Sequence, residues 1–262
     1  MSTSVPRAVS DDRYRCSFDT VAEQYERARP EYADEAVDWL VERLGLGPES
    51  RTLDLAAGTG KLTRQLVRRG LDVVAVEPGD EMRAVLRRVL PEVEALPGTA
   101  EAIPLPDASV DAVTAGQAFH WFEREPALAE MARVLRPGGG LALLWNAWDA
   151  ADPLLGPINA LLDAHRPPVV TEGSLVDTWR TGVFGPLEEL RVRQTRCVTA
   201  DQLVEWAMST SGMINASPEE REALVAEIRS LVGPRECEVA IRTDGLVAQL
   251  SDGSSGIRAT SS

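Results

Sequence analysis

Leu53-Asp54-Leu55-Ala56-Ala57-Gly58-Thr59-Gly60 is the stretch that decides how this chain folds. An apolar run ends in an acid, passes through small residues and glycines, and leads into Lys61-Leu62-Thr63-Arg64-Gln65-Leu66-Val67, where apolar residues recur at helical spacing. The reading is strand, tight Gly-rich turn, helix. Small residues suit such a turn because a Cβ would keep a ligand off the backbone. The first N–H groups of the helix lack an intrahelical acceptor and stay free to donate to it.

Downstream, Gly70 suits the C-cap of a helix running from Lys61 to Arg69, and Leu71-Asp72-Val73-Val74-Ala75-Val76-Glu77 is a β-branched run that again ends in an acid. Two strand-to-helix units in succession predict a parallel sheet with right-handed crossovers. Glu77 stands about twenty residues past the first turn, where a Rossmann-like fold places the acid that accepts from ribose hydroxyls. Asp80 is suited to cap a helix with Met82, Val85, Leu86 and Val89 on one face, which Pro91 stops. Gly98 to Asp107 is a loop held by prolines, and Ser109 to Gly116 is the next strand. Gln117-Ala118-Phe119-His120-Trp121-Phe122 follows it, polar and aromatic residues placed to line a crevice at a strand's C-terminal end. Pro126 is read as the first position of a helix, Arg136 to Gly140 as a turn, and Leu141 to Asn146 as a buried strand.

Beyond Trp148 the pattern changes to helices packed over the sheet, up to Val183. Leu187 to Val198 alternates like an exposed or edge strand, and Thr199-Ala200-Asp201 caps a helix carrying Leu203, Val204, Trp206 and Ala207. Ser217-Pro218-Glu219-Glu220 opens another helix, and Glu238 to Leu250 is a last strand, interrupted near Asp244-Gly245. Upstream of the opening strand, Asp34 to Leu44 is an amphipathic helix closed by Gly45 and Gly47. Before that, Phe18 to Pro30 is a short helix that the proline ends.

The 262 residues carry 27 basic and 41 acidic side chains, a net charge of −14, which argues against nucleic acid or an anionic membrane as partner. Cys16, Cys197 and Cys237 with His120 and His165 assemble no metal-ligand spacing, and free thiols in a reducing cytosol are expected. No signal peptide or membrane span is visible, so a soluble cytoplasmic protein is expected. Lys61 is the only lysine, which a compositional bias toward arginine accounts for.

Asp54 through Gly60, Glu77, the Gly98 to Asp107 loop, the strand into Gln117, and Arg136-Pro137-Gly138-Gly139 resemble, in order and spacing, the motifs of class I S-adenosylmethionine-dependent methyltransferases. Phe18-Asp19 to Arg29-Pro30 and Phe119-His120-Trp121-Phe122 are further similar to a subgroup that includes trans-aconitate methyltransferase-like proteins. The resemblance implies an α/β, Rossmann-like, seven-stranded sheet, mostly parallel with its last strand antiparallel, helices on both faces and extra helices capping the active site. It implies a single domain over 13–250, with an N-terminal helical cap (13–47), a cofactor-binding core (50–146) and C-terminal helices with the last two strands (147–250). Residues 1–12 and 251–262 are then tails.

For the cofactor, S-adenosylmethionine, the resemblance implies Asp54, Ala56, Gly58, Thr59 and Gly60 at the methionine part and ribose, and Glu77 on the ribose hydroxyls. Pro78 and Met82 flank the adenine, Thr99, Ala100 and Glu101 line its edge, and Gln117 lies near the sulfonium. Ala56 stands where glycine is usual and adds one methyl. Thr99 stands where many relatives carry aspartate, which moves the adenine amino contact to Glu101 or to backbone carbonyls. Tyr25, Arg29 and Trp121 are read as substrate-binding and His120 as catalytic, acting on a small molecule in a monomer or homodimer. A phosphate-loop reading of Gly60-Lys61 fails at Leu55 and Leu62, and a dinucleotide fingerprint from Gly58 fails at Thr63. An NAD(P)-linked oxidoreductase is the distant alternative, and a cofactor-binding regulator without chemistry is another. The readings separate in a thermal melt. At a hundred times its dissociation constant a ligand adds about 2.7 kcal/mol, so S-adenosylmethionine or its demethylated product should raise the midpoint while NAD, NADP and ATP leave it unmoved.

Overall fold

Buried apolar runs pair here into one seven-stranded sheet, seen in a computed structural model that describes residues 17–163 and 182–251. The strands are β1 (Arg51–Leu55), β2 (Asp72–Val76), β3 (Glu94–Leu96), β4 (Val110–Gly116), β5 (Leu135–Trp148), β6 (Glu188–Val198) and β7 (Cys237–Gln249), in spatial order β3-β2-β1-β4-β5-β7-β6. β7 alone runs against the direction of the other six strands. Sequence order reverses between β1 and β4, and the crevice at their C-terminal ends is where an open α/β sheet takes a ligand.

The helices are α1 (Ala22–Ala28), α2 (Asp34–Arg43), α3 (Lys61–Val67), α4 (Asp80–Val89), α5 (Arg124–Val134), α6 (Leu155–Asp163), α7 (Ala200–Met208), α8 (Ser211–Ile214) and α9 (Pro218–Val232), with single 3-10 turns at Phe18–Val21 and Phe119–Trp121. Alternation along β2 divides the core between the two faces. Val74 and Val76 pack with Leu128 and Met131 of α5, whereas Val73 packs with Leu40 of α2 and Leu62 and Leu66 of α3. A third cluster joins Trp148 to Leu155, Ile158, Trp206 and Ile228, with the Trp148 and Trp206 rings edge to face at 4.8 Å. The two helix starts read from Thr199 and Ser217 both form reciprocal capping boxes, with Gln202 and Glu220. At Gly60 the backbone is left-handed (φ 87°) and a Cβ would sit 3.0 Å from Leu90, so glycine is required twice over.

Several boundaries differ from the sequence reading. The helix after the Gly-rich turn stops at Val67, and α5 begins at Arg124, which makes Pro126 its third residue. The Arg136 to Gly140 segment falls within β5 (Leu135–Trp148) as an irregularity: the pairing with β4 jumps from Leu135 to Gly140, the pairing with β7 starts at Gly140, and Gly138 is left-handed (φ 82°). β7 is uninterrupted, since Asp244 and Gly245 keep their pairing with Trp145 and Leu144. The three-residue β3 was too short to leave a pattern. Asp80 is the first residue of α4 and does not cap it. That cap comes from Asp19, whose Oδ1 accepts from the N–H groups of Glu81 (2.7 Å) and Met82 (3.0 Å). Cys16, both tails but for Ser251, and much of the stretch before Val183 lie outside the described residues.

Residues 30–33 cross the C-terminal edge of the sheet as extended chain outside any ladder, and three side chains supply what a ladder would. Gln65 of α3 accepts from Tyr32 N–H (3.1 Å) and donates to Tyr32 C=O (2.9 Å). Asn146 of β5 donates to the carbonyls of Pro30 and Glu31, and Thr243 of β7 accepts from Ala33 N–H. Leaving a buried backbone group unpaired costs about 1–3 kcal/mol. Gln65→Ala orphans two, so urea unfolding should show a loss of about 2–4 kcal/mol.

Candidate active site

β1 ends under the Gly-rich turn, and Asp54 lies beneath its surface. It is fully buried, and its carboxylate accepts from the hydroxyls of Thr63 (2.5 Å) and Thr114 (3.2 Å), which fastens β1 to α3 and β4. Burial pushes its pKa up to about 7 against those hydrogen bonds. Above it, Ala56 is left-handed (φ 53°), as are Gly58 and Gly60. The cost of alanine at this position is therefore conformational, about 1 kcal/mol, more than one of volume. A Cβ at Gly58 would meet nothing within 4 Å, so the turn offers an open backbone surface.

Glu77 closes the other side of the crevice. One carboxylate oxygen accepts from Gly58 N–H and the other from Gly79 N–H, both at 2.8 Å. Burial raises its pKa, opposed by those backbone donors. Each oxygen keeps a lone pair for a hydroxyl, so the acid and the open turn together fit a ribose with a chain attached. Pro78 is exposed, while Met82 is buried against Ala22 of α1 and Val85. Thr99 bridges to Ala102, Ala100 is buried, and Glu101 accepts from Glu123 N–H (2.9 Å) at the start of α5.

The N-terminal segment lies over this surface, held mainly by polar contacts. Glu26 accepts from the Thr59 hydroxyl (2.6 Å) and Arg64 (2.6 Å) and stands 3.6 Å from Lys61 Nζ, which also donates to the Glu26 carbonyl (2.6 Å). Burial alone would raise the Glu26 pKa. The hydrogen bonds from Thr59 and Arg64, with the charges of Lys61 and Arg64, hold it below the usual range instead. Burial lowers the Lys61 pKa, opposed by Glu26.

A cavity opens where this segment meets the C-terminal helices, lined by Tyr25, Arg29, Pro30, Tyr32, Lys61, Gln117, Asn146 and Trp206. Gln117, left-handed at φ 60°, donates from Nε2 to the Asn146 carbonyl (2.6 Å), which turns the residue after β4 toward the cavity. Arg29 donates to the hydroxyl (2.8 Å) and carbonyl (3.0 Å) of Ser209 and lies 5.2 Å over the Tyr25 ring. Tyr25 and Arg29, read as substrate-binding, and Gln117, read as cofactor-binding, line one cavity, while His120 and Trp121 are not among the lining residues. Trp121 packs edge-on to Phe18, and His120 Nδ1 accepts from the Trp145 indole N–H at 3.4 Å. An imidazole that accepts at Nδ1 carries its proton on Nε2 and is a donor there. Tyr32, Lys61, Asn146 and Trp206 were missed. Asn146 had a signal, a polar residue closing an apolar strand as Gln117 does, and Lys61 had one in being the chain's sole lysine.

A sheet of this order with an open Gly-rich turn facing a buried ribose-type acid defines a Rossmann-like methyltransferase. The chain belongs to the class I S-adenosylmethionine-dependent methyltransferases. The methyltransferase-domain family matches residues 53–143. An uncharacterized methyltransferase of Mycobacterium tuberculosis (strain ATCC 25618 / H37Rv) is 42% identical over 216 residues, 82% of this chain and 85% of that protein. Among solved structures, a methyltransferase of an Anabaena variabilis antibiotic biosynthesis pathway aligns with a TM-score of 0.62 at 24% identity, over 80% of this chain and 96% of that one. A Haemonchus contortus phosphoethanolamine N-methyltransferase, solved with S-adenosylhomocysteine, aligns at 0.57 and 17%, over 93% and 60%. Membership implies S-adenosylmethionine as methyl donor.

Two outcomes follow from the buried acids. Replacing Glu77 by alanine removes a charged acceptor, where hydrogen bonds contribute about 1.5–3 kcal/mol each. Calorimetry with S-adenosylhomocysteine should show at least an approximately tenfold loss of affinity, and unfolding should show a loss of about 1–3 kcal/mol for each N–H left unpaired. For Asp54, a folded pKa raised from 3.8 to about 7 means that the unfolded chain releases its proton first as pH rises. The stability this group contributes is full below pH 3.8 and is lost on the way to about 7. Urea unfolding at stepped pH should therefore show wild type losing stability relative to Asp54→Asn across that window, with no further change above it.

Proposed function

We propose that the chain transfers a methyl group to the carboxylate of a small molecule, as the likeness to trans-aconitate methyltransferase-like proteins suggests. The observation that carries this reading is the makeup of the cavity. Its lining includes Arg29, Lys61, two tyrosines and two side-chain amides, and no carboxylate. In a chain of net charge −14 such a site is a local exception that favours an anion.

The Gly-rich turn and Glu77 would hold S-adenosylmethionine, which would supply a methyl group already activated on a sulfonium. The chain's remaining task is to align the acceptor and exclude water. A carboxylate brings its own electron pair to the new O–C bond and has no proton to lose, so no general base is needed. Arg29 orients the anion, and its position over Tyr25 and against Ser209 fixes the guanidinium plane. His120 is not called on as a base: it lies outside the cavity lining, and its Nδ1 accepts from Trp145.

Incubation with radiolabelled S-adenosylmethionine and a cell extract, followed by identification of the labelled product, tests the acceptor directly. With that substrate, Arg29→Ala should raise KM, and His120→Gln should keep the wild-type pH profile. Loss, in His120→Gln, of the fall in rate on the acidic side of neutrality, with a roughly hundredfold lower rate, would identify a general base and overturn the carboxylate reading.

A further inference from the structure

We propose that the Tyr32 hydroxyl binds the methyl acceptor and holds it over the C-terminal end of β4, an inference that rests on the carboxylate reading above. Tyr32 is buried, and its ring crosses that strand end so closely that a Cβ on Gly116 would lie 2.3 Å from the hydroxyl. Glycine at 116 makes room for this phenol. The next residue is Gln117, turned inward by its left-handed backbone, so the hydroxyl stands where β4 opens into the crevice.

The phenol is fixed as well as placed. Gln65 holds the Tyr32 N–H and C=O together, which fixes the backbone the ring extends from, and the ring itself is packed against Gly116. A buried tyrosine hydroxyl ordinarily has a hydrogen-bond partner. Among the described residues this one has none, and it faces the cavity shared with Tyr25, Lys61 and Arg29. Burial raises the Tyr32 pKa well above that of free tyrosine, helped by Tyr25 and Asp54, which keeps the group a donor and excludes it as a base. A donor beside an ammonium fits one oxygen of a carboxylate. The other oxygen would then supply the electron pair of the new O–C bond as the S–CH3 bond of the donor breaks and leaves its pair on sulfur as a neutral thioether, and no proton leaves.

The chain has three tyrosines, Tyr14, Tyr25 and Tyr32, so protein labelled with 3-fluorotyrosine gives resonances assignable through Tyr25→Phe and Tyr32→Phe. Exchanging S-adenosylhomocysteine for S-adenosylmethionine adds one methyl and one positive charge at the transfer point. The Tyr32 resonance should move on that exchange. Tyr32→Phe should bind S-adenosylhomocysteine within about twofold of wild type yet lower the labelled product formed in the cell extract by about tenfold or more. A Tyr32 signal unmoved while both ligands bind, or undiminished product from Tyr32→Phe, overturns the proposal. A product that is not a carboxylate ester but is still lost in Tyr32→Phe would overturn the carboxylate reading and leave the role of Tyr32 standing. Failure of both ligands to raise the thermal midpoint would remove the cofactor reading and this placement with it.

Discussion

Buried backbone must find hydrogen-bond partners, and the cavity end of this molecule depends on how residues 30–33 meet that demand. They lie in no ladder, so Gln65, Asn146 and Thr243 take the place of a neighbouring strand. Those side chains come from α3, β5 and β7, so each part of the fold is tied to the same few residues. Asn146 is the junction, because it donates to the crossing segment, accepts from Thr243 (2.6 Å), and lends its carbonyl to Gln117.

Electrostatics divides the segment before Pro30 from the segment after it. Phe18–Val21 has no buried residue and α1 has only Ala22, so little apolar burial secures them. Asp19 on the start of α4 and Glu26 on Thr59 and Arg64 do most of the holding. Contacts of this kind contribute about 1–3 kcal/mol each, well below the stability of a whole domain. The segment over the cofactor surface can therefore open at lower cost than the sheet beneath it.

The parts of the fold legible in the sequence were those with strong local signals. The order of β1, β2 and β4 showed through continuous apolar runs, and the caps at Thr199 and Ser217 through residue types three positions apart. Glu77 was found because an acid at a strand end is separated from the turn by a characteristic distance. What failed was decided at long range. Asp80 had the right chemistry for a cap, but Asp19, some sixty positions earlier, took the role. The turn at Arg136 to Gly140 survives as an irregular stretch inside β5, because the chain resumes pairing with β4 and β7 at Gly140. Tyr32 had no periodicity to mark it, since its importance comes from Gln65 below and Gly116 beside it.

The bond from Ala33 N–H to Thr243 spans 210 positions of the chain. A ribosome delivers the N-terminus first, and both strands that complete the sheet beyond β5 arrive last. Until β7 has emerged, the segment that carries Tyr25, Arg29 and Tyr32 lacks one of its fastenings, while the Gly-rich turn and Glu77, encoded within residues 51–96, already have theirs. The nascent protein thus passes through a stage at which the Gly-rich turn and Glu77 are assembled and the cavity beside them is not. The cavity is completed only once β7 has been made.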